Sequence, residues 1–324
     1  MSIDNQGQSH ARNGLRIGRN GVAICICIVA SACTFGTVMP LLSTATLLCP
    51  RARSLAVTGS GTVWAVEEGD GSLKMLNAPQ NLVLDIHQPT PSQDDYVALS
   101  RSMTHQGPYD VVFALHTDGE VSTYRNWYGS IIPAIGEPSI QLNSIVSVIE
   151  ACDVAVDEDG DLYIVATDEW APGFDLSRLW HYDQATDAWT YTLLEFYRTG
   201  CGNYSVSYDQ SPYADMVYVL DEWFVDAYDP NDLFPSGAMT LEGTTELAST
   251  ANDIAAGNGK IIATRDSTAQ IVNAADGEVE ASTDFDFQGG RAVTIYDGGN
   301  SNYWLYHSGI ETPGGITLQR AALD

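Results

Sequence analysis

Six polar side chains follow short apolar runs at corresponding places along the chain, and their types are those that bind ligands: Glu67, His116, Asp168, Asp221, Arg265 and His307. Two of these places share the tripeptide Asp-Glu-Trp, which adds Trp170 and Trp223. Carboxylate oxygens suit calcium or magnesium, and carboxylates mixed with histidines suit zinc or iron. Tryptophan rings offer flat faces to a sugar or a similar ligand. The eight residues are therefore a candidate binding site, and the carboxylates of Glu67, Asp168 and Asp221 are candidate ligands of a divalent cation.

The same carboxylates also have a structural interpretation, because acidic residues at strand ends accept hydrogen bonds from loop amides. The sequence has no GxSxG motif, and spacing assigns no serine or cysteine nucleophile to its histidines. Asp157, Asp159 and Asp161 lack the downstream glycine and glutamate of an EF-hand, so they indicate a turn. These features favour a binding protein without catalytic residues or a cofactor. Calcium or another divalent cation is the alternative.

The segments that position these residues are short apolar runs rich in Val, Ile, Tyr and Trp, separated by Gly, Asp, Asn and Pro, which predicts an all-β protein. A unit of two apolar strands joined by a tight turn recurs six times, most clearly over residues 153–170. The first strands of these units are spaced by 42, 57, 52, 48 and 38 residues and are marked by Leu55, Val97, Val154, Val206, Ile254 and Ala292. Such spacing predicts a β-propeller of about six four-stranded blades. The last blade lacks a fourth strand, which residues near 44–50 can supply.

Propeller geometry predicts where the candidate site lies. The loop after each second strand and the loop into each first strand reach the same face of a propeller. The six polar residues should therefore surround one mouth of the central channel. Cys49, Cys152 and Cys201 each precede a first strand, so they map to the same face.

Two segments carry a resemblance to known propellers. DVAVDEDGDLYIV, from Asp153, resembles a blade of the NHL or gluconolactonase type, and LWHYDQATDAWTYTLL, from Leu179, resembles the outer half of a kelch blade. The kelch double glycine and a complete lactonase catalytic pattern are missing. The resemblance extends over about residues 52–324 and implies an architecture. It also supplies the alternative function, a metal-dependent hydrolase or lactonase that would use Glu67, Asp168 and Asp221 around a cation.

The N-terminus has the pattern of an export signal. Arg12, Arg16 and Arg19 precede 29 uncharged residues, 21–49, a run long enough to span a membrane. Residues 30–33, Ala-Ser-Ala-Cys, resemble the lipobox of bacterial lipoproteins, which would place a lipid on Cys33. An uncleaved helix and ordinary cleavage after Ala32 remain alternatives. The expected division is a signal or anchor at 1–32, a tether with a possible ring-closing strand at 33–51, and a propeller at 52–324.

An exported compartment permits disulfides. Cys152 and Cys201 precede the first strands of adjacent blades, so they are the preferred bridge, and Cys49 is then free or takes the place of one of them. No CxxC spacing indicates a metal thiolate cluster.

The charge balance excludes one class of partner. With 42 acidic and 14 basic side chains, the net charge of −28 repels nucleic acid phosphates.

Together, the N-terminal segment and the repeat predict an exported, membrane-tethered propeller, periplasmic or on the cell surface. Its partner would be a protein, a glycan or a small molecule bound at the loop-rich mouth.

Overall fold

The computed structural model describes the chain in segments, to which all structural statements here refer: residues 41–47, 52–59, 61–67, 71–77, 82–87, 95–101, 111–134, 139–171, 174–194, 201, 204–210, 215–257, 259–265, 268–284, 292–297, 303–312 and 315–323. The predicted signal at 1–32, the lipidation site Cys33 and Cys49 lie outside these segments, so their assignments stay predictions.

The described residues form twenty-five β-strands and one 3-10 turn, Leu142–Ser144, so the all-β prediction is confirmed. The strands group into six antiparallel sheets, numbered here along the chain. The first strand, β1, is Leu41–Leu47. Sheet 1 contains β2 (Ala52–Val57), β3 (Val63–Glu67), β4 (Leu73–Asn77) and β5 (Leu82–His87). Sheet 2 contains β6 (Tyr96–Arg101), β7 (Val111–His116), β8 (Glu120–Trp127), β9 (Ser130–Pro133) and β10 (Ile140–Gln141).

The remaining sheets follow the same order of strands. Sheet 3 contains β11 (Val148–Val156), β12 (Leu162–Ala171), β13 (Phe174–Asp183) and β14 (Ala188–Leu193). Sheet 4 contains β15 (Tyr204–Gln210), β16 (Asp215–Asp221), β17 (Phe224–Leu233) and β18 (Met239–Glu246). Sheet 5 contains β19 (Asp253–Gly257), β20 (Lys260–Arg265), β21 (Thr268–Asn273) and β22 (Val279–Asp284). Sheet 6 contains β23 (Val293–Asp297), β24 (Tyr303–Thr312) and β25 (Gly315–Leu323), and β1 completes it.

The ring-closing strand lies close to its predicted place. β1 pairs antiparallel with β25, with Thr44 opposite Gln319. The N-terminal strand therefore supplies the outer strand of the last sheet, and the chain then continues into the first strand of sheet 1. Sheet 6 therefore joins the beginning and the end of the ring.

Five sheets have the four strands expected of a propeller blade, and sheet 2 differs by having five. The additional strand follows from the turn between β8 and β9. Tyr128 and Gly129 have φ of 51° and 89°, and Trp127 pairs with Ser130. Two consecutive residues with positive φ form the tight turn that suits a two-residue hairpin. β8 therefore pairs with β9 and with β10 as well as with β7.

The first strands of the six sheets, β2, β6, β11, β15, β19 and β23, contact one another in sequence, and β23 also contacts β2. They surround a cavity of about 80 Å³ on the channel axis. The hydrophobic core lies between neighbouring sheets. Between sheets 3 and 4 it includes Val165, Leu179, Val217 and Tyr228, all nearly inaccessible to solvent. Each such aliphatic side chain stabilises the fold by roughly 1.5–3 kcal/mol.

Two further sequence features are settled by the structure. The predicted disulfide joins Cys152 in β11 to Cys201 just before β15, and so links sheets 3 and 4. Asp157 accepts hydrogen bonds from the amides of Asp159 and Asp161, each at 2.9 Å, which confirms the turn interpretation.

No helix in the described part of the chain has the length and apolar composition that a membrane span requires.

Candidate functional site

The first two candidates of the predicted mouth are buried and satisfied within their own sheets. Glu67, at the end of β3, forms an ion pair with Lys74 of β4, and both side chains are about nine-tenths buried. His116, at the end of β7, is fully buried, and its Nε2 lies 3.1 Å from Ser122 Oγ. Its ring packs on Tyr96 at 4.4 Å between centroids. Neither side chain is presented to a ligand.

Asp168 is also held inside its sheet. It is fully buried, Arg178 Nη1 lies 2.9 Å from its Oδ1, and Trp180 Nε1 donates to its Oδ2 at 3.2 Å. Burial raises the pKa of Asp168, and the charge of Arg178 opposes this rise. The ion pair is therefore a structural element of sheet 3.

The remaining candidates divide into buried, exposed and partly described residues. Asp221 is buried, with interactions inside the protein. Trp223 is 42% exposed in the turn after β16, whereas Arg265 is half-buried at the end of β20. Trp170 lies in β12 and His307 in β24, opposite Val293, but their side chains lie outside the described set. Of the fully described candidates, Trp223 is the one that offers a large exposed surface.

The predicted carboxylates do not form a metal-binding group in the described part of the chain. Among the described residues, no group of three or more His, Cys, Asp or Glu side chains is arranged to hold a metal ion. Glu67, Asp168 and Asp221 are all described, so they do not form such a group. Two of them already face a cation of their own sheet, which gives each of the two a structural role without a ligand.

The structure instead brings two carboxyl groups together in the channel, where the sequence analysis had not placed a site. Asp153 of β11 and Asp253 of β19 both line the channel cavity. Ser205 of β15 lies between them, with its Oγ 2.7 Å from Asp153 Oδ2 and 2.6 Å from Asp253 Oδ1. The three residues belong to three consecutive sheets and form one hydrogen-bonded chain.

Backbone amides hold this chain in place. Val154 donates to Asp153 Oδ1 at 2.9 Å, and Val206 donates to Asp153 Oδ2 at 2.8 Å. Ile254 donates to Asp253 Oδ1 at 2.9 Å, and Val293 donates to Asp253 Oδ2 at 2.7 Å. The oxygens near Ser205 thus have two hydrogen-bond partners each, whereas Asp153 Oδ1 and Asp253 Oδ2 each keep one acceptor position. N–H donors on every oxygen make the pair a poor cation site.

Proton counting fixes the state of the pair. A hydroxyl group carries one proton, so Ser205 can donate to only one of its two carboxyl neighbours, and the other contact requires a proton on the carboxyl group. Burial raises the pKa of Asp153 to about 6. Burial and the neighbouring Asp153 charge raise the pKa of Asp253 well above its usual range. Both shifts favour a pair that holds one proton, and the larger rise favours Asp253 as the carboxyl group that keeps it.

The pair lies at the mouth predicted from the repeat. Asp253 is the first residue of β19 and Ser205 the second residue of β15, and these strands begin on the face where the second strands end. The sequence contained a signal for it. Asp153 and Asp253 both stand immediately before the apolar residues that mark first strands, Val154 and Ile254. The signal for the pair is therefore an acidic residue at the start of a first strand, whereas the candidates in the predicted mouth stand at the ends of second strands.

Solved structures with the same fold were found. The PQQ-bound aldose sugar dehydrogenase of Streptomyces coelicolor superimposes with a TM-score of 0.56 at 12% identity, over 88% of this chain and 98% of that one. The calcium-binding protein regucalcin of Agrobacterium tumefaciens gives 0.59 at 12%, over 89% and 96%. A gluconolactonase of Xanthomonas campestris gives 0.57 at 12%, over 86% and 88%. No family model and no curated protein sequence matches the chain.

These structures establish the class of the fold. The chain is a β-propeller of the kind seen in the gluconolactonase and regucalcin structures, as the Asp153 segment had suggested. At 12% identity the likeness concerns the fold alone.

Proposed function

We propose that the protein hydrolyses small cyclic esters (lactones) at the mouth of its channel, with Asp153 and Asp253 as its acid–base pair. The observation that carries the proposal is the pair itself, two carboxyl groups bridged by one serine hydroxyl on the wall of a polar cavity. Carboxyl groups whose pKa values are pushed apart serve as base and acid at the same pH. The gluconolactonase neighbour supports the choice of substrate class.

Each group would have a defined task. Ionised Asp153 would accept a proton from water through Oδ1 while the water oxygen bonds to the carbonyl carbon of the lactone. The ring C–O bond then breaks, and Asp253 supplies its proton to the leaving alkoxide. The extra proton now resides on Asp153 Oδ1, and exchange with solvent water returns a proton to Asp253. Water is consumed, a hydroxy acid is formed, and the pair returns to its starting state.

The test uses the purified full-length protein and a panel of five- and six-membered lactones, dihydrocoumarin included, with the uncatalysed rate subtracted. Removing a general acid or base typically lowers the rate by about 10²–10⁴-fold. We expect losses of this size for Asp153→Asn and Asp253→Asn. Glu169→Gln, which removes an exposed carboxylate near the same mouth, should leave the rate unchanged. The proposal would be wrong if the wild type hydrolysed none of the lactones, or if both Asn variants retained full activity.

Calcium enters as a separate question, because one structural neighbour is named as calcium-binding. The described carboxylates do not fit a divalent cation, so no proposed step uses one. We expect lactone hydrolysis to be unchanged by added calcium or by a chelator. A strict calcium requirement would contradict the acid–base proposal. It would favour a metal-dependent reaction at the predicted mouth residues.

A second candidate function is sugar binding at the mouth, and the turn that carries Trp223 favours it. Glu222 has a φ of 42°, which is strained for a residue other than glycine. Leu247 and Ala251 donate to the carbonyls of Trp223 and Glu222 at 2.8 and 2.7 Å. The backbone of the turn that carries the exposed indole is thus held in position. Trp223→Ala should weaken hexose binding measured by calorimetry, whereas Trp127→Ala, with the same 42% exposure on a different hairpin, should not.

We further propose that the protein is exported and tethered to a membrane, as the sequence of residues 12–51 suggests. Mass spectrometry of the mature N-terminus tests this. A lipid-bearing Cys33 would support the lipoprotein form. A mature chain that begins upstream of Cys33 would exclude it.

A further inference from the structure

A second recess lies away from the channel, between sheets 4 and 5. It has a volume of about 700 Å³, within the range of small-molecule sites. The turns after β19 and β21 contribute to its wall through Lys260 and residues 273–277, so it opens on the face opposite the mouth. We call it the sheet 4–5 cleft. It is independent of the proposed lactonase site.

The cleft exists because two positions of sheet 4 carry small residues. Tyr218 of β16 pairs with Ala227 of β17, which pairs with Gly243 of β18. This row faces sheet 5, because Tyr218 and Ala227 pack with Ile254 and Ile261. No described atom lies within 4 Å of where a Cβ on Gly243 would stand. The small side chains at these two positions therefore leave a gap between the two sheets above the Tyr218 ring.

Sheet 3 provides an internal comparison, since the same row there is filled. Val165 stands three residues before Asp168 as Tyr218 stands three before Asp221, and Val165 pairs with Leu179, which pairs with Thr192. Leu179 is fully buried against sheet 4, and Thr192 Oγ1 accepts the Met239 amide at 2.8 Å. Leu179 and Thr192 thus close the interface that Ala227 and Gly243 leave open.

The floor of the cleft presents a hydroxyl group that can bond to a ligand. Tyr218 is 3% exposed and lines the cleft, yet within the described part of the chain its hydroxyl has no hydrogen-bond partner. Burial raises the pKa of Tyr218 to about 12, so the phenol stays protonated and able to donate. A ligand in the cleft with a hydrogen-bond acceptor could therefore bond to this hydroxyl.

Charge defines the rest of the ligand. Asp229, Glu242 and Asp276 line the wall, and Lys260 is the one cationic residue among the described lining residues. Val225 and Ile261 add apolar surface beside Tyr218. We propose that the sheet 4–5 cleft binds a small organic cation, a protonated amine with a compact apolar or aromatic body and a group that hydrogen-bonds to the Tyr218 hydroxyl.

The test uses two probes of nearly the same shape and opposite charge. Tyramine has an ammonium group, a ring and a hydroxyl, and 4-hydroxyphenylacetate replaces the ammonium with a carboxylate. Binding to the full-length protein is measured by saturation-transfer NMR and calorimetry. We expect tyramine to bind with a Kd of about 1 mM or below, a value typical of a ligand with so few atoms. The anion should bind at least about tenfold more weakly.

Variants connect binding to the cleft. Ala227→Leu with Gly243→Thr, the residues that sheet 3 carries, should abolish tyramine binding. Tyr218→Phe should weaken it by about 2- to 12-fold, the range of one hydrogen bond. Because filling the cleft can disturb folding, Glu242→Gln tests the same wall at an exposed position, and Glu246→Gln on the same strand is its control. We expect weaker binding for the first and no change for the second.

Three results would overturn the proposal: neither probe binds, both bind equally, or a folded filled-cleft variant binds tyramine as the wild type does. Loss of binding in Glu242→Gln and Glu246→Gln alike would show general attraction to an acidic surface and would also refute it. Lactone hydrolysis is measured on the same samples, so failure of the lactonase proposal would be seen separately.

Discussion

The channel pair predicts that stability falls as pH rises through the acid range. Burial raises the pKa of Asp153 from 3.8 to about 6, so the folded protein holds this proton more tightly than the unfolded chain does. The stabilisation is fully present below about pH 4 and is lost as pH rises to about 6. Each pKa unit corresponds to 1.36 kcal/mol, so the difference of about 2 units amounts to about 3 kcal/mol.

Asp153→Asn removes this titration, together with the Asp153 charge that helps to raise the pKa of Asp253. The amide does not titrate between pH 4 and 7, although it loses one acceptor for the Val154 or Val206 amide. The free energy of unfolding is measured with urea at each pH for both proteins, and tryptophan fluorescence reports unfolding. The wild type should lose about 3 kcal/mol relative to the variant between pH 4 and pH 6.5.

The constant offset between the two proteins is not the observable, because the lost hydrogen bond contributes to it at every pH. Glu246→Gln, which removes an exposed carboxylate, should give a curve nearly parallel to that of the wild type. If the Asp153→Asn and wild-type curves were also parallel from pH 4 to 6.5, Asp153 would have an ordinary pKa. The shared-proton argument would then be refuted.

Three further perturbations test the fold that positions the pair. Arg178→Met leaves the fully buried Asp168 without its cation, and we expect a loss of about 3–5 kcal/mol in urea unfolding that is smaller at pH 4, where Asp168 takes up a proton. Leu179→Ala opens a cavity between sheets 3 and 4 and should cost about 2–5 kcal/mol, whereas an effect below about 1 kcal/mol would mean that the interface collapses around it. The Cys152→Ser, Cys201→Ser double variant releases a link between residues 49 apart, and the loop entropy predicts a loss of about 4 kcal/mol. Reducing conditions should lower the unfolding temperature of the wild type by the same amount as the double substitution does under oxidising conditions.

The repeat was readable from the sequence because its signals are local. Apolar runs of strand length and a turn such as that of Gly160, with a φ of 89°, depend on neighbouring residues alone. The last repeat in the sequence has only three strands, so its blade needs a fourth strand from elsewhere in the chain. The N-terminal segment that contains β1 supplies it. The fifth strand of sheet 2 was missed because Tyr128 occupies a left-handed turn position that sequence rules assign to Gly, Asn or Asp.

The chemistry of the mouth was harder to read because it depends on register between strands. The sequence shows a carboxylate at the end of β3 and another in β12, but it does not show that Lys74 and Arg178 come to lie beside them. A buried carboxylate beside a cation of its own sheet and a carboxylate that binds a ligand have the same sequence pattern. The sheet 4–5 cleft was equally hidden, since Ala227 and Gly243 are unremarkable until their row is compared with Leu179 and Thr192.

The hydrogen bonds between neighbouring first strands indicate that the channel pair has more than a structural role. The side chains of Ser54, Asp153, Ser205 and Asp253 each accept an amide of the next first strand, from Leu99, Val206, Ile254 and Val293 respectively. Serine makes this link at two of the four junctions without a charge. Aspartate makes the same link at the other two, where burial of a carboxylate costs more than burial of a hydroxyl. Because the cheaper residue does the structural task in the same ring, the two acids on either side of Ser205 are best explained by the proton that they share.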